Sequence, residues 1–217
     1  MSMVKRAKEA GFLRLQLTDI RDFAENKNRR VDDRPYGGGP GMVLAPEPVA
    51  KAIRSVKCPA SHVIYLSPQG TPLTARKSEE LAQKEHLVLL CGHYEGIDER
   101  ALKLVDEEIS IGDYVLTNGC AAAIVLVDAV IRFIPGVIGH PDAVQEDSFQ
   151  NGLFDGPHFT GPVEFEGDCV PAVLREGNHA KIRQYRLDEA IKKTRRVRPE
   201  LLEIFEKEKQ REPLTNH

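Results

Sequence analysis

The residues best suited to acid–base chemistry lie past the middle of the 217-residue chain. Arg132 closes a long apolar run and is followed by Phe-Ile-Pro-Gly136. Beyond a polar stretch bearing Gly and Pro come Glu146-Asp-Ser-Phe149 and Phe154-Asp-Gly-Pro-His158. A guanidinium at a helix end and carboxylates just past a linker make a candidate acid–base pair, Arg132 with Asp147 or Asp155. Taken singly, each aspartate suits a helix cap or a turn as well. A second set of residues binds rather than reacts. Gly70, Gly92, Gly96, Gly112 and Gly119 fall in small-residue loops, where backbone N–H and C=O groups can hydrogen-bond an adenine and a ribose directly. An ordinary turn is the plainer reading of any one of them; three such loops in succession say more. The third string, VDDRPYGGGPG at 31–41, sets four glycines beside acidic, basic and aromatic residues. That pattern fits a loop touching substrate, with a plain surface loop as the alternative.

Positioning such groups needs a scaffold whose loops collect at one edge. Residues 63–66, 87–90 and 109–116 read as strands, ending at 67–70, 91–96 and 117–119. Their apolar runs lack polar alternation, as in a parallel sheet covered on both faces. Ligands of open parallel sheets bind outside the carboxyl ends of the strands. Residues 75–84 and 97–105 read as helices or helical turns, and 121–133 as a buried helix stopped by Pro135 and Gly136. Near residue 140 the character changes. Residues 139–146 read as a linker, and 179–186, 188–195 and 200–206 as helices, with Pro199 suited to opening the last.

Composition narrows the chemistry further. The chain has no GxGxxG after a strand and no P-loop, which disfavours dinucleotide and triphosphate sites. It also has no HExxH or CxxC pair, so a dedicated zinc centre is not expected. Four dispersed cysteines read as free, mostly buried thiols of a reducing cytosol. The longest apolar stretch, 121–130, contains Asp128 and is too short to span a bilayer. The amino end lacks a secretory h-region. The net charge is −3, yet residues 175–198 hold nine Lys or Arg against three Asp or Glu. So dense a basic segment suits phosphates and counterion release, or else a solvated helical face.

The strings VDDRPYGGGPGM, VIYLSPQG, LCGHYEGIDER, SIGDYVL, RFIPGVIG, EDSF, FDGPHFT and GNHAKIRQYR are specific. In this order, over residues 7–202, they resemble the bacterial tRNA (guanine-N1)-methyltransferases, the TrmD family of the SPOUT, or trefoil-knot, class. The resemblance implies an α/β fold with a mostly parallel sheet and a deep trefoil knot, a rare exception to the rule against threaded chains, plus a small helical C-terminal domain. The implied domains are 1–138, binding S-adenosyl-L-methionine; a flexible linker, 139–146; and 147–217, binding tRNA. The implied cofactor contacts are Pro68, Gly70, Gly92, Tyr94, Ser110, Ile111, Gly112, Asp113, Tyr114, Val115, Leu116 and Gly119. The family's catalytic pair carries over onto Asp147 and Arg132. Guanine N1 is protonated at neutral pH, so a carboxylate serves as general base and a guanidinium stabilises charge developing on O6. Glu95 and Asp155 are second-line contacts to guanine or tRNA, and Arg195 and Arg196 belong to the grip on the anticodon stem-loop. The resemblance further implies a cytoplasmic homodimer with active sites shared between subunits. Mg2+ dependence stays open, with no dedicated ligand cage in the sequence.

Two departures from the family pattern bear on function. Where relatives carry a Gly-Gly-Glu-Leu-Pro type turn, this chain reads Asn118-Gly-Cys-Ala-Ala122, so an acidic contact is lost at Cys120. The family's opening strand and helix have no counterpart ahead of residues 4–12, which would bare a sheet edge. Two other readings therefore stand beside the main one. Another knot-class RNA methyltransferase, acting on a ribose 2′-oxygen, would not need Asp147. An inactive form would retain tRNA without transferring methyl.

Overall fold

The computed structural model describes residues 3–138, 144 and 147–211. The expected linker therefore lies, Val144 apart, outside the described residues. The chain divides into two compact units, Met1–Gly139 and His140–His217.

The first unit opens with helix α1 (Met3–Glu9) and a short 3-10 turn at Ile20–Phe23. A two-residue antiparallel pair follows, β1 (Asp32–Asp33) with β2 (Val43–Leu44). Helix α2 (Pro46–Val56) has Pro46 in its first turn, where a missing N–H costs nothing. It turns Val49, Ala52 and Ile53 inward, the spacing of one helical face. Strand β3 (Ser61–Pro72), helix α3 (Ala75–Ala82), strand β4 (His86–Cys91), the single turn α4 (Glu99–Leu102), strand β5 (Glu107–Ser110) and helix α5 (Gly119–Ile131) complete it. The central sheet is parallel, in the order β4-β3-β5.

The strand residues 63–66 are buried throughout, and the pleat divides them between two cores. Val63 and Tyr65 join Val49, Ile53, Leu90, Ile97 and Ala101 on one face. Ile64 and Leu66 join Leu81, Ile109, Ala122, Leu126 and Val130 on the other. Such double cover explains why the sequence shows an unbroken apolar run. A third cluster seats α1 on α5 through Ala7, Ile131 and Val137.

Several sequence expectations need correction. Residues 67–70 do not follow the end of a strand, because β3 resumes after them. Leu66 and Thr71 both lie opposite Ile109, so the four residues between them loop out of the sheet. The strand expected over 109–116 stops at Ser110, and 111–114 bend away. Over 97–105, the second of the two expected forms holds: the single turn α4 flanked by turns rather than a longer helix.

In the second unit, a loop from Asp147 leads to a small hairpin, β6 (Glu164–Phe165) with β7 (Asp168–Cys169). Helices α6 (His179–Val197) and α7 (Pro199–Arg211) follow. The unit is thus mainly, but not wholly, helical. The two helices expected over 179–195 are one, capped by Asn178, whose side chain accepts from the Lys181 N–H at 3.2 Å. Pro199 opens α7 as read. The fully buried side chains here are Leu153 and Thr194, with Ala190 and Leu202 close behind.

Candidate functional site

The carboxyl end of the parallel sheet gathers the glycine loops. Between Leu66 and Thr71, Gly70 lies so close to β5 that an added Cβ would stand 2.5 Å from the Glu108 carbonyl carbon and the Ile109 nitrogen. Thr71 Oγ1 donates to the Glu108 carbonyl at 3.1 Å, and the Leu73 N–H to that of Ser110 at 2.7 Å. On the other side, the Gly119 N–H donates to the Gly92 carbonyl at 2.8 Å. His93 and Asn118 form an antiparallel bridge, and a Cβ on Gly119 would lie 2.9 Å from Cys91 Cα. Backbone contacts of this kind exclude any side chain, which accounts for the glycines at 70 and 119.

Buried hydroxyls shape two of the loops. Ser67 Oγ accepts the Gln69 N–H at 3.1 Å. Ser110 Oγ accepts the Gly112 N–H at 3.2 Å and donates to the Gly112 carbonyl at 3.1 Å. Beyond it, Ile111 and Gly112 are half-buried, while Asp113, Tyr114, Val115 and Leu116 are exposed. The Tyr114 hydroxyl donates to the Ile111 carbonyl at 3.2 Å. Pro68 is exposed on its excursion. Tyr94 holds a φ of +61°, rare for a residue with a side chain, and meets the His93 ring edge-on at 4.2 Å. These loops offer backbone amides, apolar and aromatic side chains, and carboxylates. Such a donor set fits a nucleoside with a cationic substituent, the chemistry of S-adenosyl-L-methionine.

The 31–41 string reaches the same edge. The Glu95 N–H donates to the Met42 carbonyl at 3.0 Å, and the Leu44 N–H to that of Gly96 at 3.0 Å. Gly41 lies directly against the Glu95 side chain, whereas Gly37, Gly38 and Gly39 face open space. Glu95 is exposed. Arg132 caps the carboxyl end of α5 and is half-buried, where the helix dipole favours a cation. Two clefts, of about 280 and 430 Å³, lie elsewhere: one lined by Glu25, Arg30, Asp33 and Lys51, the other by His62, Lys77, Glu80 and Glu107. Neither contains a nominated cofactor residue.

In the second unit, Asp147 begins a tight loop, its carbonyl accepting the Gln150 N–H at 3.4 Å. Asp155 is held by the Ser148 hydroxyl and by His158 Nε2 at 2.8 Å. Those two hydrogen bonds, Ser148 first, keep its carboxyl below the ordinary value and ionised. The loop is tied to α6: the Phe154 N–H donates to Thr194 Oγ1 at 3.0 Å, and that hydroxyl donates to the Ala190 carbonyl at 2.8 Å. Arg195 and Arg196 lie in the last turn of α6, and all nine Lys and Arg of 175–198 are exposed. Among the described residues, no cluster of three or more His, Cys, Asp or Glu is placed to hold a metal. No helix among them is long and apolar enough to cross a membrane.

The tRNA (Guanine-1)-methyltransferase TrmD family model matches residues 1–204. The chain belongs to this family. That membership makes it a methyltransferase of the tRNA-modifying class. It is 63% identical over 202 residues to a tRNA (guanine-N(1)-)-methyltransferase of Protochlamydia amoebophila, covering 93% of this chain and 91% of that one. Against the enzyme of the same name from Dictyoglomus turgidum it is 52% identical, covering 94% and 83%. Against that of Chlamydia pneumoniae it is 58% identical over 92% of this chain, which spans about half of that longer relative (55%).

Sequence reasoning passed over Tyr65, whose hydroxyl backs Gly92 and Gly96, 3.1 and 3.6 Å from where their Cβ atoms would be. A lone tyrosine inside a Val-Ile-Leu run was the available signal. Burial, then Glu108 and Glu99, raise its pKa, so it stays a neutral donor. Asn118 was noted only as a substitution; its side chain accepts the Cys120 N–H at 2.9 Å and starts α5.

Proposed function

We propose that the chain transfers a methyl group from S-adenosyl-L-methionine to N1 of guanine 37, the base 3′ to the anticodon of a tRNA. The observation carrying this reading is the convergence of loops 67–70, 91–96 and 111–119 at one end of a parallel sheet, in a chain of this family. The cofactor, when bound, supplies an electrophilic methyl on a sulfonium. Pro68, Gly70, Gly92, Tyr94, Gly119 and residues 110–116 would hold it. Asp147 would accept the N1 proton, leaving the N1 lone pair free to serve as the nucleophile. Arg132 stabilises the negative charge spreading to O6. Glu95 and Asp155 contact the base or its flanking nucleotides, and Arg195 and Arg196 neutralise phosphates of the stem.

Under this reading residues 1–138 form the cofactor domain, threaded as a trefoil knot, and 147–217 the tRNA domain, joined by 139–146. The enzyme works in the cytoplasm as a homodimer whose active sites draw on both subunits. The exposed Ile124 and Val125 of a helix whose other face is buried suit such an interface.

Labelled methyl transfer to a tRNA transcript with guanine at position 37, beside one with adenine there, tests the proposal. Label on the guanine transcript alone is expected. Equal label on both would move the target to ribose. Replacing Asp147 with Asn should lower the rate by roughly 10²–10⁴-fold with tRNA affinity retained; an unchanged rate would remove Asp147 from the chemistry.

A further inference from the structure

Two cysteines stand on the facing segments 91–93 and 118–120, one of them at a position where the family pattern carries a carboxylate. His93 pairs with Asn118 in antiparallel fashion, and the Gly119 N–H binds the Gly92 carbonyl. Gly119 opens α5 against the end of β4, where a Cβ on it would stand 2.9 Å from Cys91 Cα. Cys120 is the next residue and is brought beside Cys91, as a disulfide with its Cα span of roughly 4.4–6.8 Å requires. Burial, and next the neighbouring Cys120 sulfur, push the Cys91 thiol up to about 12. All four cysteines are free thiols, and against the expectation of burial only Cys91 is half-buried while Cys58, Cys120 and Cys169 are exposed.

We propose that Cys91 and Cys120 are a redox-reversible pair, whose disulfide staples the end of β4 to the start of α5 and restricts cofactor entry. The oxidant class is a low-molecular-weight disulfide. Cys120, the accessible thiol, loses its proton to solvent, attacks one sulfur of the small disulfide and expels a thiolate. The resulting mixed disulfide carries no charge at Cys120, which removes that obstacle to ionising Cys91. Cys91 then gives up its proton, attacks the Cys120 sulfur and expels the second thiolate. Two protein thiols are oxidised to one disulfide, and one small disulfide is reduced to two thiols. Because Gly92 and Gly119 adjoin the two cysteines, the staple fixes the backbone on both sides of the cradle. The effect on the cofactor rests on the functional reading above; the cross-link does not.

The chain supplies its own controls. Cys58 precedes the amino end of β3, beside Ser61 and His86, and Cys169 lies in the other unit. The test treats the full-length reduced protein with oxidised glutathione, then alkylates and maps it without reduction. A peptide holding Cys91 joined to one holding Cys120 is expected, with Cys58 and Cys169 alkylated or singly glutathionylated. Cys91 left alkylatable, or Cys120 joined only to glutathione or to another cysteine, overturns the pair. Calorimetry should find S-adenosyl-L-methionine binding about tenfold weaker after oxidation, restored by dithiothreitol, and insensitive to oxidation in C120S. Equal affinity in both redox states overturns the gating. If the reduced protein binds no cofactor at all, the functional reading fails while the mass map still decides the cross-link.

Discussion

The two ends of the parallel sheet are built from different materials. At the amino end, side chains do the joining. The Val63 N–H donates to Asp106 Oδ2 at 2.8 Å, and Lys57 Nζ lies 3.7 Å from the same atom. Glu107 takes His62 at 3.1 Å and Lys77 at 2.9 Å; Ser61 and His86 meet at 2.7 Å. At the carboxyl end, backbone meets backbone through glycine, the Ser67 and Ser110 hydroxyls close their own loops, and residues 113–116 beyond are exposed. The first end joins its strands through ion pairs. The second leaves its outer loop side chains to solvent, the edge where open parallel sheets take ligands.

Substitutions at each end should therefore fail in different ways. Gly70→Val should do the greatest damage, since its Cβ would overlap β5 backbone that cannot swing aside. A stability loss of about 1–3 kcal/mol is expected by chemical denaturation, together with loss of measurable cofactor binding. A stable, fully binding variant would refute the backbone account of this end. Gly119→Ala meets Cys91 less tightly. Calorimetry should show cofactor affinity down about tenfold, for a stability cost of roughly 1 kcal/mol. At the opposite end, Glu107→Gln should cost about 1 kcal/mol in denaturant titrations, yet leave cofactor affinity within about twofold, in line with distant independent sites. A comparable loss of affinity would mean the two ends are not separable.

The smallest effect is on pH dependence. Burial alone would raise the Glu107 carboxyl, but hydrogen bonds from Lys77 and His62 hold it below its ordinary value. The Val63 N–H and then Lys57 and His62 depress Asp106. A folded pKa below the unfolded one stabilises above the unfolded value, about 4, and is lost as pH falls through the folded value. Tm should therefore decline below about pH 4, less steeply in Glu107→Gln. Parallel profiles for the two proteins would dismiss the ion pair as a contributor.

How far the sequence reveals this molecule depends on which forces act at each position. The strands at 63–66 and 87–90 were legible because burial on both faces leaves a pure apolar signature. The run Ile109–Leu116 was not, since Tyr114, Val115 and Leu116 copy that signature while lying exposed. Helix α2 went unread although Pro46, Val49, Ala52 and Ile53 mark it, and α6 looked like two helices because Asp188 and Glu189 interrupt nothing but charge. The β6–β7 hairpin turns on Glu166 and Gly167, both at positive φ, and a glutamate there gives no turn signal. At the site, glycine positions and motif strings were visible in one dimension. Their meeting was not: a bridge between His93 and Asn118, or an excursion closed on Ile109, depends on pairing over long sequence distances.

The place of β3 also matters while the chain is being made. It is the middle strand, yet both of its neighbours are later in sequence. On the ribosome its Val-Ile-Tyr-Leu segment emerges with neither edge paired, and β5 is complete only when Ser110 has been added. At about 5–20 residues per second that interval lasts roughly 2–9 s. During it, this buried apolar segment is a template for any other strand nearby, so it is where chaperones would act and where aggregation on overexpression would begin.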